Sequence, residues 1–97
     1  METETKGIYE EKLQAQLDEW KAEIDKLKAK ADKAEADARI EYYKQIDELR
    51  ARHEEASEKL ADLKAASSDA WEDIRSGVEN ARVQLDNAMR NAASRFQ

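Results

Sequence analysis

Apolar side chains recur along this chain at alternating steps of three and four. The row Leu13, Leu17, Trp20, Ile24, Leu27, Ala31, Ala34, Ala38 runs without interruption. That spacing keeps one narrow apolar stripe on one side of a helix, a seam for another helix rather than the face of a wide core. A strict heptad continued from Ala38 would next place Glu41, Gln45 and Glu48 on the seam. The apolar residues stand one position later, at Tyr42, Ile46 and Leu49, followed by His53, Ala56, Leu60 and Leu63. The resulting eleven-residue intervals, Ala31 to Tyr42 and Ala38 to Leu49, relax a left-handed supercoil without breaking a helix. The segment AKADKAEADAR contains no turn residue. The pattern therefore predicts a frayed terminus over 1–7 and one continuous helix over 8–65. A break near Lys33 to Glu35, giving three helices of similar length, is the alternative.

The boundary signal is Ala65-Ala66-Ser67-Ser68-Asp69. Ser and Asp compete for backbone hydrogen bonds and favour turns and caps. A turn is expected at 66–68 and a second helix over 69–97, with Asp69 and Glu72 as a capping box. Composition shifts at the same place. Every lysine lies at or before Lys64, the later cations are Arg75, Arg82, Arg90 and Arg95, and asparagine occurs only at Asn80, Asn87 and Asn91. Ile74, Val78, Ala81, Leu85, Ala88 and Ala92 repeat the three-four spacing, flanked by Trp71, Met89 and Phe96. Gly77 inside this helix costs about 0.8–1 kcal/mol relative to Ala, and close approach of a partner backbone is its expected reason, with a hinge as the alternative.

The expected fold is all-α: a long helix, a tight turn and a shorter antiparallel helix, a coiled-coil hairpin in one domain. A three-helix bundle is the alternative. At 1.5 Å per residue the first helix would span about 85 Å and the second about 42 Å. The stripe from Leu13 to Ala34 would then lie bare, which soluble proteins rarely tolerate. A homodimer that covers it through antiparallel helix packing is therefore expected. The interface would use Leu13, Leu17, Trp20, Ile24, Leu27, Ala31, Ala34, Tyr42, Ile46, Leu49, His53, Leu60, Leu63, Trp71, Ile74, Val78, Leu85, Met89 and Phe96.

Composition narrows the function. Charged residues make up 41% of the chain, there is no proline or cysteine, and the net charge is −6. Without cysteine there is no disulfide, thiolate catalysis or Cys-based zinc site. Cations alternate with acids, which offers no basic face for nucleic acid. The opening METETKGIYEEK has no basic-then-apolar signal, and no apolar run approaches the roughly 20 residues of a membrane span. A cytoplasmic location is the expectation.

Candidate chemistry is sparse. His53, the only histidine, falls on the seam beside Leu49, Arg50, Ala56 and Ser57, none of them a good metal ligand. It reads as a polar register residue, with loosening of the seam in mildly acidic solution as its testable form. The carboxylate pairs Asp18–Glu19 and Glu54–Glu55 point about 100° apart on a helix and do not converge. No phosphate-binding, nucleophile-elbow or zinc-protease motif occurs. No enzyme activity, metal or cofactor is expected. A helical scaffold or interaction protein is the working function. The alternative is an amphipathic membrane-surface protein in which the segment Trp71 to Phe96 lies on lipid.

The runs IYEEKLQAQLDEWKAEIDKLKAKADKAEADARIEYYKQIDELRA and AWEDIRSGVENARVQLDNAMRNAASRF resemble a family of small bacterial coiled-coil proteins of about this length. Its members are commonly described as hypothetical, coiled-coil or stress-response proteins. The likeness extends from about Ile8 to Phe96. Its most specific pieces are EYYKQI at Glu41–Ile46 and AWEDI…GVE at Ala70–Glu79. The resemblance implies a stress-related role and carries over no catalytic residue.

Overall fold

Three α-helices form: α1 (Glu2–Asp32), α2 (Ala36–Ala65) and α3 (Trp71–Arg95). They are seen in a computed structural model that describes the backbone of residues 2–96 and the side chains of residues 5–96. No strand occurs among the described residues. The all-α expectation holds, but there are three helices and not two.

The continuous helix expected over 8–65 is broken at Lys33, Ala34 and Glu35. The end of α1 tightens through three-residue bonds, Lys33 N to Lys30 O at 3.1 Å and Ala34 N to Ala31 O at 3.0 Å. Glu35 is then extended, with φ −63° and ψ 154°. The Arg39 guanidinium donates to the Ala34 carbonyl from Nη2 at 2.9 Å and from Nε at 3.3 Å. Nothing local demands this bend. Tertiary burial makes it, by setting the apolar row of α1 against that of α2. Each buried Leu or Ile contributes about 1.5–3 kcal/mol. The few helical hydrogen bonds lost at the bend are worth about 1 kcal/mol each. The facing apolar rows together therefore outweigh the break.

The ends also differ from expectation. Helix begins at Glu2 rather than at residue 8, while Met1 and Gln97 lie outside the described residues. Lys6 holds the first turns, pairing with Glu10 at 2.7 Å and donating to the Lys64 carbonyl at 3.3 Å. The turn is longer than 66–68, and α3 begins at Trp71 instead of residue 69. The Asp69–Glu72 capping box does not form, and the N-cap Ala70 has no side-chain cap. Ser67 closes the turn instead. Its carbonyl accepts from Ala70 N and Trp71 N, both at 3.1 Å, and its Oγ accepts from Ala70 N at 3.3 Å.

Cross-helix bonds give the directions. Lys64 reaches Gln14 at 3.1 Å and His53 reaches the Leu17 carbonyl at 2.8 Å, so α1 and α2 are antiparallel. Arg52 reaches Gln84 at 3.1 Å and Tyr42 stacks on Phe96 with centroids 4.3 Å apart, so α2 and α3 are antiparallel. The helices lie side by side within 52 × 18 × 17 Å, far short of a rod of about 85 Å. One core joins all three, with Leu17, Ile46, Leu49, Leu60, Leu63, Trp71, Val78 and Leu85 fully buried. Buried Ala31, Ala56, Ala81 and Ala92 leave room for the helices to approach. The expected bare stripe is absent: Leu13, Leu17, Trp20, Ile24, Leu27 and Ala31 are all buried within the chain, and Ala34 is half-buried.

Gly77 lacks the packing reason expected for it. A Cβ built there meets nothing within 4 Å. Gly77→Ala is therefore expected to raise the unfolding free energy by about 0.8–1 kcal/mol in urea denaturation, since only the helix-propensity difference remains.

Candidate functional site

Most residues expected at an intermolecular interface form this chain's own core. Ala34, Tyr42, His53 and Ile74 are half-buried and the rest of that set is buried. Their apolar surface is satisfied internally, so a partner of the closed chain meets the outer faces and the grooves between helices.

One polar cluster ties α1 to α3. The Tyr9 hydroxyl donates to Glu79 Oε2, and Arg82 Nε donates to Glu79 Oε1 at 3.1 Å. The Arg75 guanidinium lies 5.6 Å from the ring centroids of both Tyr9 and Trp71, an arrangement of cation–π character. Burial pushes the Tyr9 hydroxyl well above its ordinary value near 10, and the Glu79 carboxylate raises it further, while Arg75 and Arg82 oppose. A phenol held protonated beside a carboxylate is a clasp and a poor base or nucleophile.

The sign of its pH dependence follows. Above pH about 10 the unfolded chain releases the Tyr9 proton while the folded chain keeps it. Stability is therefore fully present below that pH and falls as pH rises beyond it. Tyr43 adds to the same alkaline loss, its hydroxyl raised by a hydrogen bond to Asp32. Thermal melts from about pH 8 to about pH 11.5 are expected to show this decline, with a shallower slope in Tyr9→Phe.

His53 lies between α1 and α2 with Nε2 2.8 Å from the Leu17 carbonyl. A carbonyl only accepts, so Nε2–H donates, in neutral imidazole and imidazolium alike. Lys21, Asp25, Arg50 and Glu54 surround the hollow beside the ring and mix both signs of charge. Among the described residues no group of three His, Cys, Asp or Glu side chains could hold a metal ion.

An open, largely polar groove runs between α2 and α3. Leu49, Ala88 and Ala92 form its floor, with Gln45, Glu48, Arg52, Gln84, Asn87, Asn91 and Arg95 around it. Arg52 is fixed across the groove, donating to Gln84 Oε1 at 3.1 Å and to Glu48 Oε1 at 3.2 Å. Its Nε is buried without a protein partner. Side-chain amides both donate and accept, and the arginines donate in planar forks. The groove therefore offers both donors and acceptors to a hydrogen-bonding ligand. None of these polar residues was legible as a site from spacing. The available signal was the change after Lys64, beyond which every cation is arginine and all the asparagines occur.

Comparison with protein-family models, with curated proteins and with solved structures returns no match for this chain.

Proposed function

We propose that the protein is a non-enzymatic helical interaction module that receives a protein partner in the α2–α3 groove. The observation that carries this reading is the groove itself: amides and arginines over an Ala and Leu floor. The core, by contrast, is closed, with no buried charged or polar residue among those described. The module is a self-contained three-helix bundle in the absence of a partner. The resemblance to small bacterial coiled-coil proteins supports a cytoplasmic, stress-related scaffold.

A photo-crosslinking amino acid at Asn87 tests the reading, with the same probe at the exposed Glu19 on α1 as control. Protein adducts formed in the cell of origin at position 87 and not at 19 support it. Equal adducts at both positions, or none, overturn it.

The membrane-surface alternative needs the apolar face of α3 to leave the core, where Trp71, Val78, Leu85, Met89 and Phe96 are buried. No described helix is long and apolar enough to cross a membrane. The folded protein is expected to remain in the supernatant when sedimented with anionic vesicles at low salt. Pelleting of most of it would restore that alternative.

A further inference from the structure

The hinge between α1 and α2 is built from residues that prefer helix. Ala31, Ala34, Ala36 and Ala38 occupy the bend and its flanks, with no glycine, proline, asparagine or serine from Lys21 to Ala56. No described non-glycine residue has a positive φ, so the bend uses no conformation foreign to this sequence. Glu35 is extended between the two helices, and two side chains of α2 brace the bend, Arg39 on the Ala34 carbonyl and Tyr43 on Asp32. Despite the one-residue step in heptad spacing between Ala38 and Tyr42, the apolar row stays on one side of a helix drawn straight through the bend. At about 100° per residue, a straightened helix places Leu13 to Ala31, Ala34, Ala38, Tyr42 and Ile46 to Leu63 within one wedge of about 120°.

From this we propose that the chain exchanges α1 with a second copy of itself. The hinge straightens, α1 and α2 become one helix over residues 2–65, and each α1 packs on the α2 and α3 of the other copy. The occupant follows from complementarity already on display. The surface that fits the α1 row is the one it covers now, and each cross-helix contact can be remade between chains. The midpoints of the pairs Lys6–Lys64 and Leu17–His53 fall at residue 35, in the hinge, and that of Asp32–Tyr43 falls within three residues of it. A two-fold axis there makes the exchange reciprocal, with His53 of each copy donating to the Leu17 carbonyl of the other. Short hinges joining well-matched elements favour such swaps. The exchange leaves the α2–α3 groove intact, so it stands or falls independently of what that groove binds.

The full chain is unfolded in guanidinium, refolded at about 5 µM or about 1 mM, and separated by gel filtration with light scattering and small-angle X-ray scattering. Expected are a monomer at low concentration and, at high concentration, a species of twice the mass with a maximum dimension of about 95–100 Å. Ala36→Pro discriminates. Residue 36 opens α2, where proline is accepted, and Glu35 before it already has the extended backbone that proline requires. In the straightened helix the same proline is interior in both chains and is expected to lower the association constant by roughly ten-thousand-fold. Arg39→Ala, which frees the bend, is expected to raise the dimer fraction severalfold. Insertion of two glycines after Ala34 repeats the block if Ala36→Pro loses helicity. The proposal is overturned if wild type and Arg39→Ala are monomeric at both concentrations. A dimer shorter than about 70 Å, or one that both hinge blocks leave unchanged, also overturns it.

Discussion

Trp71→Ala is expected to lower the unfolding free energy by about 3–5 kcal/mol, the range for deleting a large buried aromatic. Trp71 is 1% exposed at the first turn of α3. There it closes the end of the core against α1, its ring 6.4 Å from that of Tyr9. Truncation leaves a cavity at the helix start and strips Arg75 of one of its two aromatic faces. The indole N–H sharpens the test, because it is buried without a protein acceptor. A buried unpaired donor is itself unfavourable, so Trp71→Phe loses ring area but also sheds that liability. The phenylalanine variant is expected to be only about 1–2 kcal/mol less stable than wild type, consistent with a partly compensated loss of area. Equilibrium denaturation followed by far-ultraviolet circular dichroism checks both. Equal destabilisation by Phe and Ala would show that the indole N–H finds an acceptor in solution.

Ala56→Asp is expected to be at least as damaging. Ala56 is 1% exposed, on the row of α2, the helix that packs against both of the others. No buried cation stands ready to receive a carboxylate among the described residues. An uncompensated buried charge costs about 3–5 kcal/mol. A domain of this size has only about 5–15 kcal/mol in total. The variant is expected to lose its cooperative thermal transition or to melt far below wild type. Ala51→Asp, on the exposed side of the same helix, is expected to stay within about 0.5 kcal/mol of wild type. If Ala56→Asp melted like Ala51→Asp, α2 would not be the central helix of this fold.

The helical faces were legible in the sequence and the path of the chain was not. The buried residues of all three helices, from Leu13 to Phe96, lie on the rows that three-four spacing picks out or beside them. Periodicity reports which face is buried, and it does not report what covers that face. The step in phase between Ala38 and Tyr42 was the visible trace of the bend. It reads equally well as a relaxed supercoil, because the residues that carry it all favour helix. Gly77 drew a packing explanation that the open space around it does not support. The Tyr9–Glu79 clasp joins residues 70 apart and leaves no local mark. Exposed amides such as Gln84 and Asn87 acquire meaning only when α2 is set beside α3.

The connections between helices are three and five residues long. Each helix thereby meets its neighbour in sequence first, and such local topology folds in microseconds to milliseconds. A tether that short also presents α1 to its own α2 at an effective concentration of about millimolar order. A dilute newly made chain thus closes on itself before it encounters another. Chains that emerge crowded together, as on neighbouring ribosomes of one message, meet rivals at a higher concentration than dilute chains do. The length of the assembled particle would then record how densely its chains were made.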